Sequence, residues 1–248
     1  MLFFKVLLFA SAVIIITTTL NAQDFDVKEE NIEKSSGSVM FGLGLQTVFP
    51  RGEYYEQNNK VGVGLGLNFG YFIPSLPVSI GIDGMYNIHD IEDSHEAWNL
   101  PEGSGLFDVT TYYQFLSCYI MLRFQAYDEI LSPYFEGIIG FNYFWTDTKI
   151  TSDNIFDETE ISKTVDFQDI SGAYGAGCGL MFYLLKMGDD TNSPRGLLLD
   201  FNLRYLFGGK ASYLKKGSKR IVNGSIVYDA VRSETDMYSA RLGVCIRF

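Results

Sequence analysis

The sequence predicts an all-β fold: an eight-stranded antiparallel up-and-down transmembrane β-barrel, with short periplasmic turns and long external loops. Two observations carry this expectation. The first is the C-terminal segment from Asp236 to Phe248, in which Tyr238, Ala240, Leu242, Val244, Ile246 and Phe248 are apolar. The residues between them, Ser239, Arg241, Gly243 and Arg247, are small or charged, with Cys245 the exception. Period-two alternation of this kind describes a strand with hydrocarbon on one face and a polar interior on the other. A soluble chain rarely ends on an unprotected apolar strand, because an open edge invites aggregation. The second observation is that the same alternation recurs eight times between residues 38 and 248, with connections alternately short and long.

The first strand, about Ser38 to Phe49, sets Val39, Phe41, Leu43 and Leu45 outward over Gly42, Gly44 and Gln46. The second, about Lys60 to Phe72, sets Val61, Val63, Leu65, Leu67, Phe69 and Tyr71 outward over Gly62, Gly64, Gly66, Asn68 and Gly70. Ile73 to Pro77 is a tight turn, since proline cannot donate to a ladder. The third strand carries Val78, Ile80, Ile82 and Tyr86 outward and Ser79, Asp83 and Asn87 inward, and a long polar loop follows from His89 to about Asp108. The fourth strand ends with Leu116, Cys118, Ile120, Leu122 and Phe124 outward and Ser117, Tyr119, Arg123 and Gln125 inward. Its upper part, Thr110 to Phe115, has an ambiguous register of the kind a bulge produces.

After a short turn, the fifth strand alternates Phe135, Ile139, Phe141, Tyr143 and Trp145 with Glu136, Gly140 and Asn142. A second long loop is expected from about Thr146 to Asp169. The sixth strand sets Tyr174, Ala176, Cys178, Leu180, Phe182 and Leu184 over Gly175, Gly177 and Gly179, and the turn from Lys186 to Pro194 follows it. The seventh sets Leu197, Leu199, Phe201, Leu203, Tyr205 and Phe207 against Asp200, Asn202 and Arg204. A loop from Gly208 to about Thr235, with a small hairpin at Asn223-Gly224, leads to the closing strand. Tyr71, Phe124, Phe182 and Phe248 at one set of strand ends, and Tyr86, Tyr143, Trp145, Phe207 and Tyr238 at the other, suit two interfacial aromatic girdles.

Composition bounds the cellular setting. Residues 1–22 read as a signal peptide: Lys5 supplies the positive region, and Val6 to Ile16 is apolar apart from Ser11. Ala22 suits cleavage before Gln23, although Leu20 is larger than the usual residue two positions upstream. The apolar run is shorter than the roughly 20 residues of a spanning helix, which argues against a retained anchor. Residues 23–37 are polar and aperiodic and read as a flexible periplasmic lead-in, leaving 38–248 as one barrel domain. Hydrophobic residues at 47%, aromatics at 15% and 25 Gly, without a later spanning helix, fit an outer-membrane barrel better than an inner-membrane protein. A net charge of −11 argues against nucleic-acid binding, which needs a basic surface. Cys118, Cys178 and Cys245 are odd in number and widely spaced, so they read as small apolar, lipid-facing residues and not as a disulfide framework.

From Ser38 to Phe248 the chain resembles the small eight-stranded outer-membrane barrels of the OmpA/OmpX type found in Gram-negative bacteria. Phe248, preceded by alternating apolar residues, resembles the C-terminal signal that such proteins present to the barrel-insertion machinery. Asn21-Ala22-Gln23 and the segment Ser132 to Gly137 resemble the Bacteroidetes branch. The resemblance implies a fold and a location, while members of the family differ in function.

The interior charges are the most informative candidate site. Asp83, Arg123, Glu136, Asp200, Arg204 and Arg241 fall on inner rows of five strands, three acids and three arginines, so mutual pairing in the lumen is expected. An eight-stranded barrel is about wide enough to be filled by side chains, which makes a plug the default and a gated ion path the alternative. The clusters Gly62 to Gly66 and Gly175 to Gly179 lack dinucleotide-loop spacing and no helix follows them, so they read as space for large side chains opposite. His89 and His95, with Asp90, Glu92, Asp93, Ser94 and Glu96, could form a His/Ser/acid set at the rim, although so polar a loop is the ordinary setting for solvated residues. Neither helical His pairing nor an EF-hand pattern is present there or in Asp153 to Glu160, so no metal or other cofactor is expected. Lys215, Lys216, Lys219 and Arg220, with Lys210, make the last external loop basic, a surface suited to lipopolysaccharide phosphates.

The sequence therefore leads to a non-enzymatic integral outer-membrane barrel with a structural or surface-interaction role. Its expected partners are outer-membrane lipid, lipopolysaccharide and the insertion machinery; no external protein partner is identified. A narrow porin-like channel or transport accessory, and a rim-located lipid-modifying enzyme, are the alternatives.

Overall fold

A computed structural model describes residues 37–74, 76–100, 103–125, 130–152, 160–187, 195–222 and 225–248, and the side chains of these apart from 95–107, 152–166 and 215–228. The elements are β1 (Ser38–Pro50), α1 (Gly52–Gln57), β2 (Gly62–Phe72), β3 (Val78–Leu100), β4 (Gly103–Gln125), β5 (Leu131–Ser152), β6 (Glu160–Met187), β7 (Arg195–Gly208), β8 (Lys210–Val222), β9 (Ser225–Glu234) and β10 (Met237–Arg247). Eight of the strands close in the order β1-β10-β7-β6-β5-β4-β3-β2, and each neighbouring pair is antiparallel. The fold is a closed eight-stranded antiparallel up-and-down barrel, as the alternation predicts. Closure removes the free edges that apolar strands would otherwise expose.

The seam shows how alternation fixes register. Leu43 pairs with Val244 and Leu45 with Leu242, both outward, while Gly44 pairs with Gly243 and Gln46 with Arg241, both inward. A slip of one residue would turn each of these side chains to the opposite face. At the end of the seam, Phe248 N–H donates to Val39 O at 2.9 Å and Val39 N–H to Phe248 O at 3.3 Å. Outward rows leave Leu45, Leu65, Ile82, Ile120, Ile139 and Leu242 at least half exposed, a belt matched to hydrocarbon. The aromatic rings gather toward the end with the long connections. Tyr205 packs edge-on to Phe207 at 4.6 Å and to Tyr238 at 4.8 Å, and Tyr143 stacks on Trp145 at 5.3 Å.

Much of what reads as loop is strand. The polar stretch after His89 continues β3 to Leu100 and pairs with β4 down to Gly103, and the next stretch continues β5 to Ser152 and resumes as β6 at Glu160. Thr, Tyr and Ile within these polar segments sustain pairing without a core-facing alternation to announce it. The bulge expected on the fourth strand lies instead on the third: the β3–β4 register shifts between Ile88 and Asp90, and β4 pairs with β5 without interruption through Thr110 to Phe115. The connection after β7 forms the antiparallel pair β8–β9, longer than the expected small hairpin; Asn223 and Gly224 themselves lie outside the described residues. The first connection holds α1, which the sequence did not predict; Gly52, at φ 54°, turns the chain out of β1. Cys118 and Cys178 reach the outer face, whereas Cys245 is 1% exposed and points inward, a correction to its expected lipid-facing place. It sits on the odd, inward row of β10 and fills space against Asp200.

Candidate functional site

The inner rows of β3, β4, β5, β7 and β10 bring all six predicted charges together, and none of the six is more than 3% exposed. Asp83 accepts two bonds from Arg204, Nη1 at 2.6 Å and Nη2 at 2.9 Å, and a third from Arg241 Nη1 at 2.6 Å. Arg204 turns its Nε to Glu136 Oε1 at 2.6 Å. Glu136 Oε2 accepts from Arg123 Nη2 at 2.8 Å and Nε at 3.0 Å. The result is an alternating chain across the lumen, Arg241–Asp83–Arg204–Glu136–Arg123. It carries one positive charge in excess, and Asp200, 3.9 Å from Arg241 Nη2, supplies the balancing carboxylate.

Alternation is what makes this burial tolerable. A lone ion in a confined site costs several kcal/mol even after relaxation, whereas each member here faces an opposite charge at hydrogen-bond distance. The planar guanidinium fork lets Arg204 bridge two carboxylates at once. Neutral groups take part of the remaining capacity: Asn202 Nδ2 donates to Glu136 Oε1 at 2.8 Å, and the Tyr134 hydroxyl donates to Asp200 Oδ1 at 2.7 Å, while Arg123 Nη1 and Arg241 Nε and Nη2 make no hydrogen bond among the described residues. Arg123 lies over the Tyr134 ring at 3.9 Å. Glycine rows supply the room. A Cβ on Gly177 would lie 2.7 Å from Arg204 Cγ, and one on Gly66 would lie 2.9 Å from Arg241 Cδ.

Two apolar layers bracket the charges. Toward the short turns, Met40, Phe72, Met181, Tyr183 and Leu198 pack together; toward the long connections, Val48, Met85, Phe115, Phe144, Leu206 and Met237 do so. Tyr54 of α1 caps the second layer, packing edge-on to Tyr213 at 5.2 Å and to Phe144 at 6.0 Å. Glu53 accepts from the Glu234 N–H at 3.1 Å, and the Arg51 N–H donates to Asp236 O at 2.8 Å, so the cap is fastened to β9 and to the start of β10. Burial and the neighbouring Tyr213 hold the Tyr54 phenol well above its ordinary value of 10.

Sequence reading passed over Tyr134, Arg247 and Tyr54. Tyr134 shares the inward parity of Glu136, and Arg247 shares that of Arg241. Arg247 stacks over Phe72 at 3.9 Å and donates from Nε to Ser38 Oγ at 3.0 Å. Tyr54 lies in an aperiodic connection that carried no signal. His89 is buried with its ring 6.1 Å from Phe115 and 6.2 Å from Tyr113, and Glu92 accepts from the Tyr113 hydroxyl at 2.9 Å. The side chains of His95 and Glu96, and those of Lys215, Lys216, Lys219 and Arg220, lie outside the described residues, as do Asp153 to Glu160 apart from the strand position of Glu160.

No protein-family model matches the chain, and no curated protein matches it. Among solved structures, the chain is similar to neisserial surface protein A (NspA), at 11% identity and a TM-score of 0.42 over 85% of this chain and 95% of the other. It is similar to Ail, the attachment invasion locus protein of Yersinia pestis, solved in complex with the heparin analogue sucrose octasulfate, at 16% identity and a TM-score of 0.39 over 86% and 99%. It is also similar to the N-terminal β-barrel domain of Pseudomonas aeruginosa OprF, at 16% identity and a TM-score of 0.34 over 87% and 100%.

Proposed function

We propose that this chain is a non-enzymatic integral outer-membrane barrel that closes its own lumen and offers its external sheet to other molecules at the cell surface. The observation that carries the reading is the lumen: a charge-balanced, fully buried network between two apolar layers, capped by Tyr54. An ion would have to displace paired charges and cross both layers. In this reading the chain is exported with its leader cleaved, reaches the outer membrane of a Gram-negative cell through recognition of Phe248, and has no cofactor. The β8 cations Lys215, Lys216, Lys219 and Arg220 meet lipopolysaccharide phosphates.

The surface role is supported by an uneven rim. Pairing between β2 and β3 stops at Val63 and Ile88, whereas β3 and β4 stay paired to Leu100 and Gly103. Pairing between β6 and β7 begins at Ala173 and Gly208, whereas β5 and β6 are paired out to Thr151 and Glu160. Four strands thus rise past the closed wall as a sheet. Beyond Ile88, β3 has no strand on its other side among the described residues. A free strand edge offers main-chain groups to an extended partner segment.

Planar-bilayer recording of the purified barrel tests the closed lumen, and the expected result is no steady conductance. Steady, ion-selective conductance would replace this reading with a narrow channel. A changed lipid A mass profile in a deletion strain, restored by the wild-type gene, would replace it with a lipid-modifying enzyme.

A further inference from the structure

We infer that the lipid-facing wall over β6, β7 and β10 holds a lipid A molecule of lipopolysaccharide, its chains in a depression of the wall and its phosphate on Arg51. The inference rests on the outer-membrane placement proposed above and adds a site on the wall, apart from the β8 cations. The depression measures about 500 Å³, and the surface lining it is almost entirely apolar.

Strand pairing explains the hollow. Phe135, Cys178, Leu203 and Ala240 lie side by side on one outward row, and Ala176, Tyr205 and Tyr238 on the next row toward the long connections. Ala176, Cys178 and Ala240 therefore form low points between tall neighbours. One row toward the short turns the floor rises again, with Leu180, Phe201 and Leu242 all exposed. A hollow in a hydrocarbon-facing wall is filled in the membrane by acyl chain, because an apolar void forfeits dispersion contacts on one side.

A cation sits at its upper end. Arg51 lies over the ring of Tyr238, 4.7 Å from the centroid, and forms no ion pair among the described residues. The nearby carboxylate of Asp236 accepts from the Gly208 N–H at 2.9 Å and from the Tyr205 hydroxyl at 3.2 Å. A lipid with its chains in the hollow brings its headgroup to the level of Tyr205 and Tyr238, where the guanidinium waits, and a phosphate matches that charge. Lipid A joins phosphate to several chains on one headgroup. That suits a hollow bounded from β5 round to β1, broader than a furrow for one chain.

The test uses the full chain in phosphatidylcholine vesicles doped with lipid A, or with phosphatidylglycerol at the same mole fraction, followed by native mass spectrometry of the extracted protein. Insertion is checked first, by heat-modifiable gel mobility. Wild type is expected to keep one lipid A per barrel. Ala240→Trp, which fills the hollow from an outward position, should reduce retention to that of undoped vesicles, and Arg51→Gln should lower it about fivefold. Leu65→Trp, on the outward row of β2, should retain lipid as wild type does. Equal retention by Ala240→Trp and wild type, or equal loss in Leu65→Trp, would overturn the site, as would phosphatidylglycerol held as tightly as lipid A. Wild-type protein that does not insert would bring down the membrane reading and the site together, whereas insertion without retained lipid removes the site alone.

Discussion

Arg204 and Asp83 stand on β7 and β3, four strands apart around an eight-stranded barrel, and meet through two parallel hydrogen bonds of 2.6 and 2.9 Å. The contact ties opposite walls together through the centre of the lumen. Because Arg204 also bonds Glu136, one side chain couples β3, β5 and β7.

Arg204→Ala should leave Asp83 with Arg241 and Glu136 with Arg123 as their remaining arginines, three buried carboxylates against two guanidiniums, and cost about 3–5 kcal/mol, less where water enters. Urea unfolding of the reconstituted barrel measures it, as a lowered midpoint. Arg204→Lys should recover little, since a single ammonium cannot hold Asp83 bidentately and reach Glu136 as well. An unchanged midpoint in the alanine variant would mean that the network contributes nothing to register.

Neighbouring positions 179 and 180 should fail for different reasons. A Cβ on Gly179 would overlap the Tyr134 ring, whose hydroxyl holds Asp200, so Gly179→Ala should cost about 1–3 kcal/mol through overpacking. Leu180→Arg should cost roughly 2–4 kcal/mol by placing a charge in hydrocarbon. Gly70→Ala, whose nearest side-chain atoms are both 3.9 Å away, should be tolerated. Heat-modifiable mobility and urea midpoints rank the three, and equal behaviour of Gly70→Ala and Gly179→Ala would refute the packing argument.

Phe248→Ala should lower the amount of barrel in the outer membrane while leaving the refolded protein close to wild type in stability. The residue's main-chain bonds to Val39 do not depend on its ring, which is 58% exposed. Cell fractionation measures the first effect and refolding into detergent the second. Normal membrane levels of the variant would remove Phe248 from any insertion role.

The Tyr54 cap should loosen in alkali. Burial raises the folded phenol's value, so the folded state keeps its proton while the unfolded segment loses one above pH 10. The associated stability is present below pH 10 and is lost as pH climbs from there through the folded value. The Tyr54 hydroxyl lies near Asn58 and makes no hydrogen bond among the described residues, so Tyr54→Phe should keep the cap and shed the alkaline sensitivity. Proteolysis of the connection between β1 and β2 across pH 9 to 12 reads the difference, and identical profiles for both proteins would exclude Tyr54 as the cause.

Alternation determined the eight barrel strands, their faces and the closed architecture, because a side-chain period of two leaves one register that keeps Leu45, Leu65 and Leu242 on the outer face and Gln46 and Arg241 inside. The membership of the charge set was legible for the same reason, since parity places Asp83, Arg123, Glu136, Asp200, Arg204 and Arg241 inward. Who pairs with whom was not, because pairing across a lumen depends on strand tilt and on which glycines leave room, as Gly177 does for Arg204 and Gly66 for Arg241. Cys245 shows the limit of reading residue type over position: its small side chain suggests the outer face, whereas its parity places it on the inward row. The extensions of β3 to β6 were hidden in polar segments, where pairing rests on backbone bonds and gives no alternating core. Tyr54 and α1 were hidden more completely. One aromatic in an aperiodic connection acquires its role only when Phe144 and Tyr213, from β5 and β8, are folded into contact with it.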